Sequence, residues 1–188
     1  MEKLFDVLAH HAALSEKTKT ALSQIIVRRQ FRKGTILLRR GQVCQKLYLI
    51  ESGFLRGYCV QHDKEKTLWF AAENEVVTSM YSFSTQQPSH EVIEVMATSI
   101  LYCISYEQLL TLYNTHPELN LVGRLLTEKY CLELEVRTQS LQLHSSEERY
   151  RHLEDHQPAL LQKASLGQIA SYLGISQETL SRIRSKKR

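Results

Sequence analysis

The chain has 188 residues, 43% of them hydrophobic, with 24 Lys and Arg against 20 Asp and Glu and a formal net charge of +4. That supplies core for one large domain or for a medium and a small one. No apolar run nears a membrane span and no leader pattern precedes a cleavage site, so a cytoplasmic protein without a membrane partner is expected.

In chain order, Leu4, Val7, Leu8, Leu14, Ala21, Leu22, Ile25 and Ile26 recur at helical spacing, which predicts helix from about Met1 to Val27 with a start at Ser15 and Thr18. From Phe31 the period falls to two. Residues 35–38, 46–50, 54–60, 67–70, 75–78, 91–96 and 100–104 read as strands, and four of the seven glycines, Gly34, Gly41, Gly53 and Gly57, punctuate them. Seven or eight short strands of this kind suit a closed antiparallel barrel or roll, double-stranded β-helix or jelly-roll in type. The fold class is therefore α+β.

Helical period returns after Ser105, with a short helix from Glu107 to Asn114, a break at His116-Pro117 and a long helix from Glu118 to about His144. That helix carries two apolar stripes. At about 100° per residue, Leu121, Leu125, Leu132, Val136 and Leu143 share an arc of about 60°, whereas Leu119, Val122, Leu126, Tyr130, Leu134 and Leu141 gather on another side. One stripe is expected to cover the chain's own roll and the other to meet a second copy in a twofold homodimer.

A further helix starts at Ser145, with acids in its first turn, and residues 154–158 form a linker. Ser165 with Gln168 predicts a capped helix carrying Ile169, Ala170 and Leu173 inward. Gly174 ends it, and Ser176 caps a second helix holding Leu180 and Ile183 inward. The outer positions, Gln177, Glu178, Ser181 and Arg182, precede Arg184, Lys186, Lys187 and Arg188. This is a helix-turn-helix with base-reading chemistry at the start of its second helix. Residues 165–188 hold five of the basic residues and one acid, so the remainder balances at 19 against 19 and the whole net charge sits on this element. Such a footprint fits a polyanion, double-stranded DNA. The segments are expected to divide as 1–115 for the roll, 116–144 for the dimer helix and 145–188 for the DNA-binding part.

The glycine-punctuated roll, long helix and terminal helix-turn-helix, in that order over the whole chain, resemble the Crp/Fnr superfamily of bacterial transcription regulators. The residues that carry the resemblance are Gly34 and Gly41, Tyr48-Leu49-Ile50 with Gly53, Glu148-Arg149-Tyr150, and the run from Ile169 to Arg184. The resemblance implies a small, winged helix-turn-helix domain, a homodimer on a near-palindromic site, and recruitment or blocking of RNA polymerase. It places Glu178 and Arg182 at base edges, a carboxylate for cytosine and a guanidinium for guanine. Gln177 stands where many members have a basic residue; its amide reads adenine or holds a phosphate. Ser165, Ser176, Thr179, Ser181, Arg184, Lys186, Lys187 and Arg188 suit phosphate oxygens.

The effector region departs from the members that bind cyclic nucleotides. Between Arg56 and Arg124 there is no arginine, and only Lys64 and Lys66 are basic there, against Glu73, Glu75, Glu91 and Glu94. A phosphate without a charged fork is costly to desolvate, so cAMP is not expected to bind and the effector is left unidentified. Trp69, Glu73, Met80, Tyr81, Phe83 and Met96 are candidates for lining a pocket for a less anionic ligand, or for the core of the roll. Cys44, Cys59, Cys103 and Cys131 form no metal-spaced pair, His152 and His156 are expected to be solvated, and no catalytic motif is present, so neither a cofactor, a metal nor enzyme activity is expected. A ligand module without DNA function and a protein-interaction scaffold are the competing classes.

Overall fold

A computed structural model describes residues 1–186, which places the expected phosphate contacts Lys187 and Arg188 outside the described residues. The elements in order are α1 (Glu2–Ala9), α2 (Glu16–Ile25), β1 (Val27–Phe31), β2 (Ile36–Leu38), β3 (Lys46–Gln61), β4 (Lys64–Ala71), β5 (Val76–Val77), α3 (Met80–Thr85), β6 (Val92–Ser105), α4 (Tyr106–Thr115), α5 (Glu118–Leu143), α6 (Ser146–His156), α7 (Pro158–Lys163), α8 (Leu166–Leu173) and α9 (Gln177–Ser185). No described helix is long and apolar enough to cross a membrane.

The N-terminal helical stretch is two helices, the second starting at Ser15 and Thr18 as expected. The break falls at residues 10–15, where Ser15 caps α2 by accepting from the Thr18 N–H at 3.3 Å. The Ser15 hydroxyl and N–H both donate to Glu118 at 2.8 and 3.0 Å, tying the start of α2 to the start of α5.

Six strands form an antiparallel sheet ordered β1-β6-β3-β4, with β2 added to β6 and β5 to β3. The expected strands 46–50 and 54–60 are one bent strand, β3, and 91–96 and 100–104 are one bent strand, β6. The bend explains the misreading. Register shifts occur between Ile50 and Ser52, Ser52 and Phe54, and Phe54 and Leu55, and Gly53 sits there at φ 130°, so a turn residue kinks the ladder without ending it. The β3–β4 hairpin turns on His62 and Asp63, both at positive φ, as a two-residue loop between twisted strands requires.

Three apolar clusters follow. The first fills the roll, with Ile50, Leu55, Ile93, Val95 and Leu101 wholly buried. The second packs α1, α2, α4 and the first half of α5 onto the roll through Leu4, Leu22, Leu49, Leu112, Leu119 and Val122. The third joins α6 to α9 to the roll, and it includes Phe54 of β3. Every strand lies before Tyr106, and the regular elements of residues 145–186 are all helices, so no strand of the expected wing lies among the described residues.

Gly53 gives a direct test of the bend. A Cβ there would stand 2.0 Å from the Ser99 hydroxyl and 2.8 Å from its Cα, and Ser99 is fully buried and donates to the Ala97 carbonyl at 2.7 Å. Gly53→Ala is expected to lower stability by about 2–4 kcal/mol in urea titration, from strained backbone and overlap together.

Candidate nucleic-acid interface

The C-terminal helices are set by local capping. Ser145 and Ser165 each complete a capping box, with Glu148 and Gln168 respectively, and Ser176 caps α9 by accepting from the Thr179 N–H at 3.1 Å. Gly174 ends α8 at φ 67°, a left-handed conformation that glycine adopts without cost, and the Ile175 N–H closes back onto the Ala170 carbonyl at 3.0 Å. Ile169, Ala170, Leu173 and Leu180 are buried between the two helices and α6.

On the opposite side, Gln177, Glu178, Ser181, Arg182 and Arg184 are exposed on α9, and Lys186 follows. Glu178 and Arg182 stand one turn apart, with no ion pair between them. The Ser176 hydroxyl, first, with backbone hydrogen bonding and the Arg182 charge, holds the Glu178 carboxyl below the usual carboxylate range, so it is ionised at neutral pH. Ser165 and Ser176, expected at phosphates, are exposed caps whose hydroxyls already accept helix N–H groups. Thr179 is half-buried, 3.1 Å from the Ser176 hydroxyl. Gln177 is less free than the sequence suggests. Its amide nitrogen lies 2.4 Å from where a Cβ on Gly167 would stand, so the side chain lies across the start of α8 in the space that glycine leaves.

Two arginines that composition alone does not single out fix this unit. Arg149 donates to the Leu173 carbonyl at 3.0 Å and to the His144 carbonyl at 2.6 Å, joining the ends of α8 and α5. Arg137 of α5 donates to the Tyr172 carbonyl at 2.9 Å and lies 4.1 Å over the Tyr172 ring. Cations at the C-terminal end of a helix complement its unpaired carbonyls. The main seat of the unit is nonetheless the roll. Tyr172 meets Phe70 of β4 edge-on at 5.3 Å, Phe70 stacks on Phe54 at 5.4 Å, and the Thr67 N–H donates to the Ser171 hydroxyl at 2.9 Å. The unit therefore leans on the roll as well as on α5.

Along α5 the stripe expected at a dimer contact faces outward, with Leu121, Leu132, Val136 and Leu143 at 41%, 62%, 57% and 74% exposure and Leu125 half-buried. The other stripe is covered only in its first half, by Leu119, Val122 and Leu126; Leu134 and Leu141 remain 44% and 43% exposed.

The expected effector residues do not gather at one place. Phe83 is in the core of the roll against Tyr106, Met96 faces the helix-turn-helix beside Gln168, Glu73 sits on a turn 3.4 Å from Lys3, and Tyr81 is exposed beside His90. Met80 opens α3, and Trp69 donates its indole N–H to Glu91 at 2.9 Å. Around them Ser79 and Ser89 pair at 3.1 Å, and Ser82 donates to the Gln87 carbonyl.

Residues 28–116 match the cyclic nucleotide-binding domain family. In fold the chain is similar to CLP of Xanthomonas campestris, a c-di-GMP responsive global regulator (23% identity, TM-score 0.71, 92% of this chain and 91% of that one). It is also similar to the catabolite activator protein of Thermus thermophilus (24%, 0.59, 96% and 85%) and to a protein of Eubacterium rectale assigned to the Crp/Fnr family of transcriptional regulators (19%, 0.72, 90% and 82%). No curated protein sequence matches it. The chain therefore has the Crp/Fnr regulator fold.

Burial pushes the Glu91 carboxyl above the usual range, against hydrogen bonds from Ser79 and Trp69. A carboxyl raised in the folded state weakens the fold once pH climbs through its folded pKa, and has no such effect below the unfolded value. Glu91→Gln keeps an acceptor for the indole. It is expected to melt above wild type at neutral pH, with the gap closing as pH falls into the ordinary carboxylate range, as thermal melts across pH would read.

Proposed function

We propose that this chain, built on the Crp/Fnr regulator fold with a cyclic nucleotide-binding-type domain over residues 28–116, is a dimeric, sequence-specific DNA-binding transcription regulator. The observation that carries the reading is α9: a capped helix whose buried side is closed by Leu180 and whose free side presents Glu178, Arg182 and Arg184, the two guanidinium groups forming no ion pair among the described residues. Glu178 accepts from a cytosine amine and Arg182 forks onto guanine, while Arg184 and Lys186 neutralise phosphates. Gln177, turned toward Gly167, swings from α8 to reach a base or a phosphate. The regulator acts by recruiting or blocking RNA polymerase, and its parts divide as 1–115, 116–144 and 145–188.

The exposed stripe on α5 supports the dimer. A helix of 26 residues, about 39 Å long, with Leu132, Val136 and Leu143 open to water has an apolar seam that a second copy covers. Two reading helices related by a twofold axis read a near-palindrome. The roll interior supports independence from cAMP. Its Ser79 and Ser89 pair with one another, and Glu91 stands beside them and accepts the Trp69 indole N–H. These residues do not fit a cyclic phosphate, which would meet an acid and no free cation.

Selection of random-sequence DNA followed by gel shift tests the reading. A near-palindrome is expected, with affinity falling steeply as salt rises; no enriched site, or affinity indifferent to salt, would overturn it. Arg182→Ala is expected to cost about 1–3 kcal/mol and relax one position of each half-site, whereas Lys186→Ala weakens all sequences alike. For the dimer, Leu132→Glu with Val136→Glu is expected to shift sedimentation from two copies to one.

A further inference from the structure

A cavity of about 250 Å³ opens between β1, β2, the start of β3 and α4, away from the helix-turn-helix. The ladder assembles it. Val27 of β1 and Tyr48 of β3 both pair with Cys103 of β6, so their side chains share one face, and Arg29 and Phe31 follow Val27 on that face at the period of two. Lys46 stands two residues before Tyr48, and Gln108 projects from α4.

The polar groups here are free in a way that those of the roll interior are not. Tyr48 is 4% exposed, its ring lies edge-on to Phe31 at 6.5 Å, and its hydroxyl has no hydrogen-bond partner among the described residues. Tyr48 lines the cavity and its oxygen is reached from there, which leaves the hydroxyl free to donate to a ligand. Arg29 and Lys46 form no ion pair among the described residues, although the adjacent Arg28 is taken by Glu51. Gln108 spends its carbonyl on the Ser105 N–H at 3.0 Å, in the capping box of α4, and that leaves its NH2 group as a donor. No carboxylate lines the cavity, and Phe31 and Ile36 contribute apolar wall.

Two cations, a phenol and an amide NH2 beside apolar wall suit one ligand chemistry, an anion with a small apolar body. The volume lies below the roughly 300–1,000 Å³ of clefts that take drug-sized ligands, so the body is about one ring. We propose that this cavity is a binding site for a small organic carboxylate, its charge held by Arg29 and Lys46 and its oxygens by Tyr48 and Gln108.

Thermal melting of the full chain tests this with benzoate, benzyl alcohol and inorganic phosphate as probes. A ligand that binds the folded state alone raises the melting temperature as its concentration grows. Benzoate at millimolar concentration is expected to do so, with neither benzyl alcohol, which has the ring without the charge, nor phosphate, which has the charge without the ring, matching it. Arg29→Glu with Lys46→Glu is expected to abolish the shift, and Tyr48→Phe, which removes one oxygen and keeps the packing, to weaken benzoate about tenfold. No shift with benzoate, an equal shift with either control, or a shift that the double variant retains would overturn the proposal. Should the double variant not melt cooperatively, Tyr48→Phe decides: unchanged benzoate affinity overturns it. DNA binding plays no part in the readout, so this result and the regulator reading stand or fall separately.

Discussion

The contact on which the arrangement depends is the seat of α8 on β4. Strand β4 ends the sheet, and an uncovered end strand presents unpaired N–H and C=O groups to any passing chain. Here Ser171 answers both kinds at once. Its hydroxyl accepts from the Thr67 N–H at 2.9 Å and donates to the Glu65 carbonyl at 3.3 Å, as a further strand would. Phe54, Phe70 and Tyr172 then form a continuous aromatic run from β3 through β4 to α8. A helix-turn-helix of this size has little core of its own, and the roll's outer face supplies the missing part of it. The same contact protects a sheet edge and seats α8, against which α9 packs together with α6.

The long helix α5 has the complementary role. Its first half is a packing element, with Leu119 and Val122 buried against α1, α2 and α4. Its second half touches its own chain through a few defined contacts, Arg137 on Tyr172 and Leu141 beside Gly174, and keeps its apolar face open. That division is the one the proposed dimer calls for. A helix buried on all sides would hold the roll and the reading unit in one chain but could not relate them to a second copy.

How much of this the sequence disclosed follows from whether each signal is local. Ser165 with Gln168, Gly174 and Ser176 act over three or four residues, so the helix-turn-helix and its outward face are legible, and the same holds for Ser105 and Ser145. Gly53 acts through Ser99, 46 positions away, and a turn residue that bends a strand looks the same in sequence as one that ends it. Helix α3 is six residues of Met, Tyr, Ser, Phe and Thr, too short for a helical period to declare itself. The effector candidates are scattered for a related reason: Trp69 and Met96 lie on strands with an inner and an outer face, and which face each takes depends on registers and bulges set by partner strands. Ser171 and Tyr172 gave no signal, since a serine and a tyrosine on a helix surface are ordinary until the strand beneath them is known.

Arg56 brings these lines together. It lies two residues from Phe54 on β3, pairs across the sheet with Glu94 and Phe70, is 2% exposed, and places its guanidinium 4.2 Å over the Tyr58 ring between Glu65 and Glu94. Two carboxylates neutralise this buried guanidinium, although its Nε has no hydrogen-bond partner among the described residues, and its desolvation is offset only while both acids stay in place. One of those acids belongs to β4, and the backbone carbonyl of that same Glu65 accepts the Ser171 hydroxyl. This buried cation, on the roll's outer face with Phe70, is therefore committed to β4, the strand on which α8 sits. This puts the chain's arginine chemistry to holding its two parts together, and leaves the cations of Arg29 and Lys46, at the mouth of the cavity beside β1, outside that network.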